Sequence, residues 1–283
     1  MGTRDSQTYP RLPFSGKVAL VTGSSRGLGR VVAAHLAELG ASVAVHGSTP
    51  TSTRAFNEAD SLRAVAEAIV AETGADIFPV HGDVTVPHEV ERVVGEVRAK
   101  FGRIDLLVCN AGGDIGAAGT AGPRGGKPES NDAVNVAVDD VFAILNRNLV
   151  ATILVCKAVA PEMMARKSGS IVSISSDAAF IGREEQVIYG VAKAGVVHYT
   201  RCLAAELRQY DVRVNSIAPG PIVTPRFLAT RAIDQSQMVK EGTLKRYGWP
   251  IEIARAVAFL LNPENFVSGQ VLRVDGGHQL WAG

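Results

Sequence analysis

Short apolar runs alternate with amphipathic stretches along most of the chain. Lys17–Val21, Ser42–Val45, Asp76–Val80, Ile104–Cys109, Ser170–Ser175, Val212–Ala218 and Gln270–Val274 read as seven strands. Between them, helical periodicity covers Gly27–Leu39, Asp60–Glu72, Pro87–Phe101, Val138–Arg166, Val187–Gln209 and Pro250–Leu261. Strands alternating with helices predict βαβ units and a parallel sheet. The strands are continuous apolar runs such as VALV and LLV, the pattern of a sheet covered by helices on both faces. The expected fold is therefore an α/β doubly wound parallel sheet of about seven strands, in one domain from 15 to 283 behind an irregular arm, 1–14.

Two segments interrupt the rhythm. Gly112–Val136, rich in Gly, Ala and Pro, is far longer than an ordinary βα connection, and Pro219–Tyr247 follows the sixth strand. Both begin at the C-terminal ends of strands, where open α/β sheets bind ligands. The first is expected as an insertion, the second as a substrate loop.

Composition narrows the function. With 29 Lys+Arg against 28 Asp+Glu the net charge is +1, and a nucleic-acid or membrane-surface role, which relies on basic excess, is not expected. The apolar run Leu149–Ala160 is broken by Lys157, so no membrane span is expected. Cys109, Cys156 and Cys202 are widely spaced and odd in number, which favours a reducing, cytoplasmic setting over a disulfide framework. Met1-Gly2-x-x-x-Ser6 fits a myristoylation pattern and is read as coincidence. Six histidines lack ligand spacing, and no metal is expected.

The first strand runs through Thr22-Gly23-Ser24-Ser25-Arg26-Gly27-Leu28-Gly29 directly into a helix. Glycines there let the backbone approach a pyrophosphate, and the helix N-terminus supplies N–H donors, so a dinucleotide is expected. An NAD site usually places Asp or Glu after the second strand. Here stand His46-Gly47-Ser48-Thr49, and no acid precedes Glu58. Arg26, Ser48 and Thr49 then offer a cation and hydroxyls for a 2′-phosphate, favouring NADP.

Tyr189 and Lys193 lie four residues apart, on one helix face. An ammonium near a phenol favours phenolate, lowering the Tyr pKa toward working pH for proton exchange with a carbonyl oxygen. Ser176, thirteen residues before Tyr189, ends the fifth strand at the same sheet edge.

With these motifs, and with Asp83-Val84, Asn110-Ala111-Gly112, Asn148-Leu149, Val214-Asn215, Pro219-Gly220-Pro221-Ile222-Val223-Thr224 and Asp275-Gly276-Gly277, the chain resembles the short-chain dehydrogenase/reductase family from about Ser15 to Gly277. The feel is that of 3-oxoacyl-carrier-protein reductase-like members. The resemblance implies hydride transfer between a nicotinamide and a ketone or secondary alcohol. Tyr189 would be general acid or base, Ser176 would hold the substrate oxygen, and Lys193 would hold the nicotinamide ribose. Asn148 would anchor a relay water; Asp83 and Val84 would face adenine; Asn110, Ala111 and Gly112 would line the groove. Pro219, Gly220, Ile222 and Thr224 would flank the nicotinamide. Other readings of these residues are a helix-capping Asp83, a purely structural Asn148 and a solvated run at Arg183-Glu184-Glu185. Cys109 departs from the Asn usual before Asn110, and the insertion, with Asp114, Arg124 and Lys127, exceeds the family pattern. Arg166 and Lys167 would be carrier-protein cations, but the second expected cation falls near Tyr210, so a small ketone or sugar-like substrate stands equally. An NAD-dependent sugar or polyol dehydrogenase and a non-catalytic dinucleotide-binding protein are the rival readings. The helix from Val187 is apolar almost all round, which implies a homodimer or homotetramer.

Overall fold

The computed structural model describes residues 12–278. In chain order these residues form β1 (Val18–Val21), α1 (Gly27–Glu38), β2 (Ser42–Gly47), α2 (Leu62–Thr73), β3 (Ile77–His81), α3 (Pro87–Phe101) and β4 (Leu106–Cys109). The one-turn α4 (Pro123–Gly126) follows, then α5 (Val138–Leu145), α6 (Ala151–Arg166), β5 (Gly169–Ile174) and α7 (Val187–Leu207). The last elements are β6 (Val212–Pro219), α8 (Pro225–Thr230), α9 (Pro250–Leu261) and β7 (Val271–Val274). The strands form one seven-stranded sheet in the order β3-β2-β1-β4-β5-β6-β7, with every pairing parallel. The order reverses between β1 and β4, so the cleft expected of such a sheet opens beyond their C-terminal ends.

The apolar runs explain the layering. Alternate residues of each strand feed opposite faces: Ala19 and Val21 join α1, α2 and α9 in one core cluster, whereas Val18 and Leu20 join α3, α6 and α7 in another. Local signals set the ends. Ser61 accepts the Ala64 N–H to cap α2, Gly74 ends it in the left-handed region, and Pro87 opens α3.

Some details differ from the sequence reading. Phe14 is fully buried, so the segment assigned as an arm joins the core at its last residue. The myristoylation pattern lies outside the described residues. Cys109 and Cys156, far apart in sequence, stand Sγ to Sγ at 3.7 Å in the core. Val138–Arg166 is one continuous helical stretch, long and apolar enough by length and composition to cross a membrane. The expectation of no such stretch came from reading only the uninterrupted run. Ala151, Val155, Val159 and Met163 nonetheless pack into the core against the sheet. The segment 219–247 contains α8 and a 3-10 turn at Gln235–Gln237, elements too short for periodicity to reveal.

Candidate active site

A continuous cleft of about 330 Å³ runs across the C-terminal sheet edge, from the β1–α1 turn past Tyr189 to α8. The turn is stitched to β4. The Thr22 hydroxyl accepts the backbone N–H groups of Asn110 (3.0 Å) and Ala111 (3.1 Å), and the Asn110 amide donates to Thr22 O and Gly23 O. A side chain at Gly29 would lie 2.3 Å from Gly23 O and 2.4 Å from Asn110 Nδ2, so only glycine permits this approach. Gly23, at φ +66°, has equally little room beside Ala111.

His46 completes the turn and was missed as a site residue. Its Nδ1 accepts the Gly23 N–H at 3.1 Å, so its Nε2 carries the proton and donates to Gly82 O at 3.0 Å. Burial pushes its pKa down to about 4 and keeps the ring neutral. The available signal was a histidine ending a wholly buried strand beside a Gly-rich turn.

The Gly27 N–H, at the start of α1, donates to Glu58 Oε2 at 2.7 Å, while Oε1 is buried without a partner. A carboxylate thus occupies the position where a helix N-terminus would receive a phosphate oxygen, and the donor set suits the pyrophosphate of a dinucleotide. Arg26 stands over the Phe56 ring and donates to Ser52 O. Burial lowers its pKa, and Glu58 opposes that. Ser25, Leu28 and Ser48 line the cleft; Thr49, exposed like Ser48, is next to it in the chain, and its carbonyl accepts from Ser52. Asp83 lies at the adenine end, its Oδ1 tied to Thr85 N and Oγ1, with buried Val84 beside it. It does not cap α3, whose N-cap is Val86. Arg147, also missed, lines the same region with its Nε unpartnered.

At the centre, Ser176 follows β5 by two residues and Tyr189 and Lys193 project from α7. The Ser176 hydroxyl donates to Asp177 Oδ1 at 2.9 Å and accepts the Ala178 N–H. Lys193 Nζ donates to Ile174 O at 2.8 Å and lies 5.6 Å from the Tyr189 ring centre. Desolvation lowers the Lys193 pKa to about 8. The phenol behaves contrary to expectation. Desolvation, aided by Asp177 and Asp114, raises the Tyr189 pKa, opposed by its hydrogen bond with Ser176. Burial outweighs the Ser176 hydrogen bond and the Arg226 charge that oppose it.

Asn148 is fully buried and does not line the cleft. It sits in a π-helical turn, Asn146–Val150, of the kind that often marks functional sites. Its Oδ1 accepts the Gly113 N–H, and its Nδ2 donates to Gly113 O and Ile144 O. The side chain therefore clamps the start of the insertion. A side chain on Gly112 would collide with this amide at 2.5 Å. Pro219, Gly220 and Ile222 line the far wall, and Thr224 caps α8 through the Phe227 N–H.

The insertion folds over the substrate end. Asp114 is buried, accepting from Asn131 (2.8 Å) and Gln186 (3.1 Å). Arg226 of α8 reaches back to Asp114 O at 2.7 Å. Arg183 of the charge run lines the cleft, paired with Asp177 at 2.7 Å, while Glu184 and Glu185 are exposed. Arg166 and Lys167 precede the start of β5, at the opposite sheet edge, and Arg166 is spent on Glu162 and Ile104 O. They stand away from this chain's own cleft entrance.

Comparison with known proteins agrees with this geometry. A family model described as enoyl-(acyl carrier protein) reductase matches residues 23–279. Cyclohexanol dehydrogenase of Rhodococcus sp. (strain TK6) is 37% identical over 94% of this chain and 97% of its own length. The 3-oxoacyl-[acyl-carrier-protein] reductase of Synechocystis sp. is 34% identical over 93% and 97%. Among solved structures, a 7α-hydroxysteroid dehydrogenase complexed with NADH and 7-oxo glycochenodeoxycholic acid superposes with TM-score 0.78 at 29% identity, covering 94% of this chain and 96% of that one. Such relatives use nicotinamide dinucleotides, and a chain matched across its sheet, turn and cleft is an NAD(P)-dependent oxidoreductase of the short-chain dehydrogenase/reductase family.

Proposed function

We propose that this chain interconverts a ketone and a secondary alcohol with NADP(H), using Tyr189 as general acid in reduction and general base in oxidation. The observation that carries the reading is the convergence of Ser176, Tyr189 and Lys193 in one cleft with the phosphate-binding turn. The nicotinamide supplies or accepts the hydride. Tyr189, its pKa raised, holds its proton at neutral pH and donates it to the substrate oxygen as negative charge develops there. The Ser176 hydroxyl stabilises that oxygen. Lys193, a buried cation anchored on Ile174 O, is placed to hold the cofactor ribose. Asn148 keeps the insertion in register beside them.

The choice of NADP rests on Arg26 and Ser48 in the cleft, a cation and a hydroxyl suited to a 2′-phosphate. Glu58 favours the second reading, NAD, because its carboxylate at the Gly27 N–H would accept from ribose hydroxyls and repel a phosphate. Titrations of NADPH and NADH decide between them, and tighter NADH binding refutes the assignment of Arg26. Tyr189→Phe should retain cofactor binding and lower turnover ~10²–10⁴-fold. Turnover near wild type would refute the acid–base role.

Self-association through α5 and α7 belongs to the same proposal. Val138, Phe142 and Val191 are 67%, 59% and 55% exposed, an apolar surface suited to a second copy in a homodimer or homotetramer. Sedimentation gives the mass, and a monomer at micromolar concentration refutes it. A cytoplasmic setting is proposed from the reduced cysteine pair in the core.

A further inference from the structure

The substrate end of the cleft carries positive charge that the chain offsets only in part, through Asp114, and without an ion pair. Arg226 spends its Nη2 on two backbone carbonyls, Asp114 O at 2.7 Å and Gly125 O at 3.4 Å. Its Nε is buried without an acceptor. Among the described residues it has no carboxylate partner within ion-pair distance. Arg231, also in the cleft wall, lies over the Phe227 ring at 5.0 Å. Lys127 of the insertion donates only to Thr230 O, at 3.1 Å. Neither of these forms an ion pair among the described residues. The nearby acid, Asp114, is 2% exposed; its Oδ2 accepts from two side-chain amides, its Oδ1 is buried without a partner, and it acts on Arg226 through charge alone, outside ion-pair distance.

A guanidinium cannot shed its charge at any ordinary pH. Holding one largely out of water without a counter-ion is costly. Burial lowers the pKa of both Arg226 and Lys127, in keeping with cations drawn into the fold. Arg226 and Tyr189 line the same cleft, within electrostatic reach of each other. An anion arriving with the substrate would supply the missing partner.

We propose that the substrate is a small oxo- or hydroxycarboxylate whose carboxylate is received by Arg226, with Arg231 drawing it into the cleft. The proposal rests on the carbonyl–alcohol reading above and makes Arg226 a specificity-determining residue. A single negative charge fits better than a phosphate dianion, because Asp114 and Asp177 both face the same phenol. A macromolecular acidic surface fits less well, because Arg226 is half-buried inside the cleft rather than on its outer face.

The test compares kcat/KM for 3-oxobutanoate and 4-oxopentanoate with their neutral methyl esters, using wild type, Arg226→Gln, Arg226→Lys and Arg231→Gln. The acid-to-ester ratio should exceed about tenfold in wild type. It should fall about tenfold or more in Arg226→Gln, chiefly through KM, as expected for a lost charge-assisted hydrogen bond. Arg226→Lys should restore part of the ratio. Arg231→Gln, which breaks no backbone bond, should lower it less and guards against misfolding of the Arg226 variants. A wild type that prefers the esters, a phosphorylated ketone or a carrier-bound 3-oxoacyl thioester overturns the proposal. An unchanged ratio in Arg226→Gln does so too, as does a tenfold loss of NADPH affinity with the ratio intact, which would assign Arg226 to the cofactor.

Calorimetric titration of pentanoate, which has no carbonyl to reduce, into the NADP⁺-loaded protein reads the same site without turnover. Binding should weaken about tenfold in Arg226→Gln, and no binding to wild type overturns the proposal. Pentanoate binding without turnover of any carbonyl would instead count against the oxidoreductase assignment and leave the carboxylate site standing.

Discussion

Acid should loosen the cofactor turn through one buried imidazole. His46 accepts the Gly23 N–H on Nδ1 and donates from Nε2 to Gly82 O, so its neutral form fits both partners. Protonation would set an N–H against the Gly23 N–H and place a charge in a fully buried site. The folded pKa is accordingly depressed from 6.5 to about 4. Because the unfolded chain then binds the extra proton first, the stability contribution is intact above pH 6.5 and is lost as pH falls toward 4. Integrating the linkage from pH 7.5 to 4.5 gives a loss of about 2.5 kcal/mol from this residue alone. Other groups titrate in that range, so the comparison must be differential. His46→Gln retains one acceptor and one donor and cannot ionise. Urea unfolding at pH 7.5, 6.5, 5.5 and 4.5 should show wild type losing about 2.5 kcal/mol more than the variant across the series. NADPH affinity of the folded wild type should hold through most of this window and fall only as the pH nears the folded pKa of about 4, an acid limb that His46→Gln should lack. Parallel stability curves would refute the assignment of the neutral tautomer and its role in the turn.

Other consequences follow from the same geometry. Gly29→Ala forces its methyl into Gly23 O and Asn110 Nδ2, so NADPH affinity measured by fluorescence should fall about tenfold or more, with a stability loss of about 1–3 kcal/mol. Asn148→Ala strands the Gly113 N–H and C=O and should cost about 1–3 kcal/mol in urea unfolding, with hydrogen exchange rising at Gly113–Ile115. Lys193 has a pKa of about 8, so carbonyl reduction should decline above pH 8 as its ammonium is lost, and Lys193→Arg should move that break to higher pH in the pH–rate profile.

The parts of the site legible in the sequence are those whose chemistry is local. Four residues along a helix put Tyr189 and Lys193 on one face whatever the rest of the chain does, and a Gly-rich turn between strand and helix makes an anion site by backbone geometry alone. The direction of the phenol's pKa shift was not legible for a related reason: sequence adjacency displays the ammonium but not the burial that raises the phenol's pKa.

The remaining site residues are invisible along the chain because each acquires its meaning from a distant partner. Glu58 matters only because the loop after β2 folds back 31 residues to the Gly27 N–H. Arg226 matters only because the insertion brings Asp114 O to it across 112 residues. Both partnerships lie along one seam. Phe56, from the β2–α2 loop, and Thr230, from α8, flank the same face of Gly125 in the insertion: a Cβ there would meet them at 3.4 and 2.5 Å. Lys127 ties the insertion to Thr230 O as well. The segment 112–136 thus connects the two ends of the cleft. Shortening the insertion would then be felt at Arg26 and Arg226 together, and a substitution at Gly125 would disturb both ends without touching Ser176, Tyr189 or Lys193.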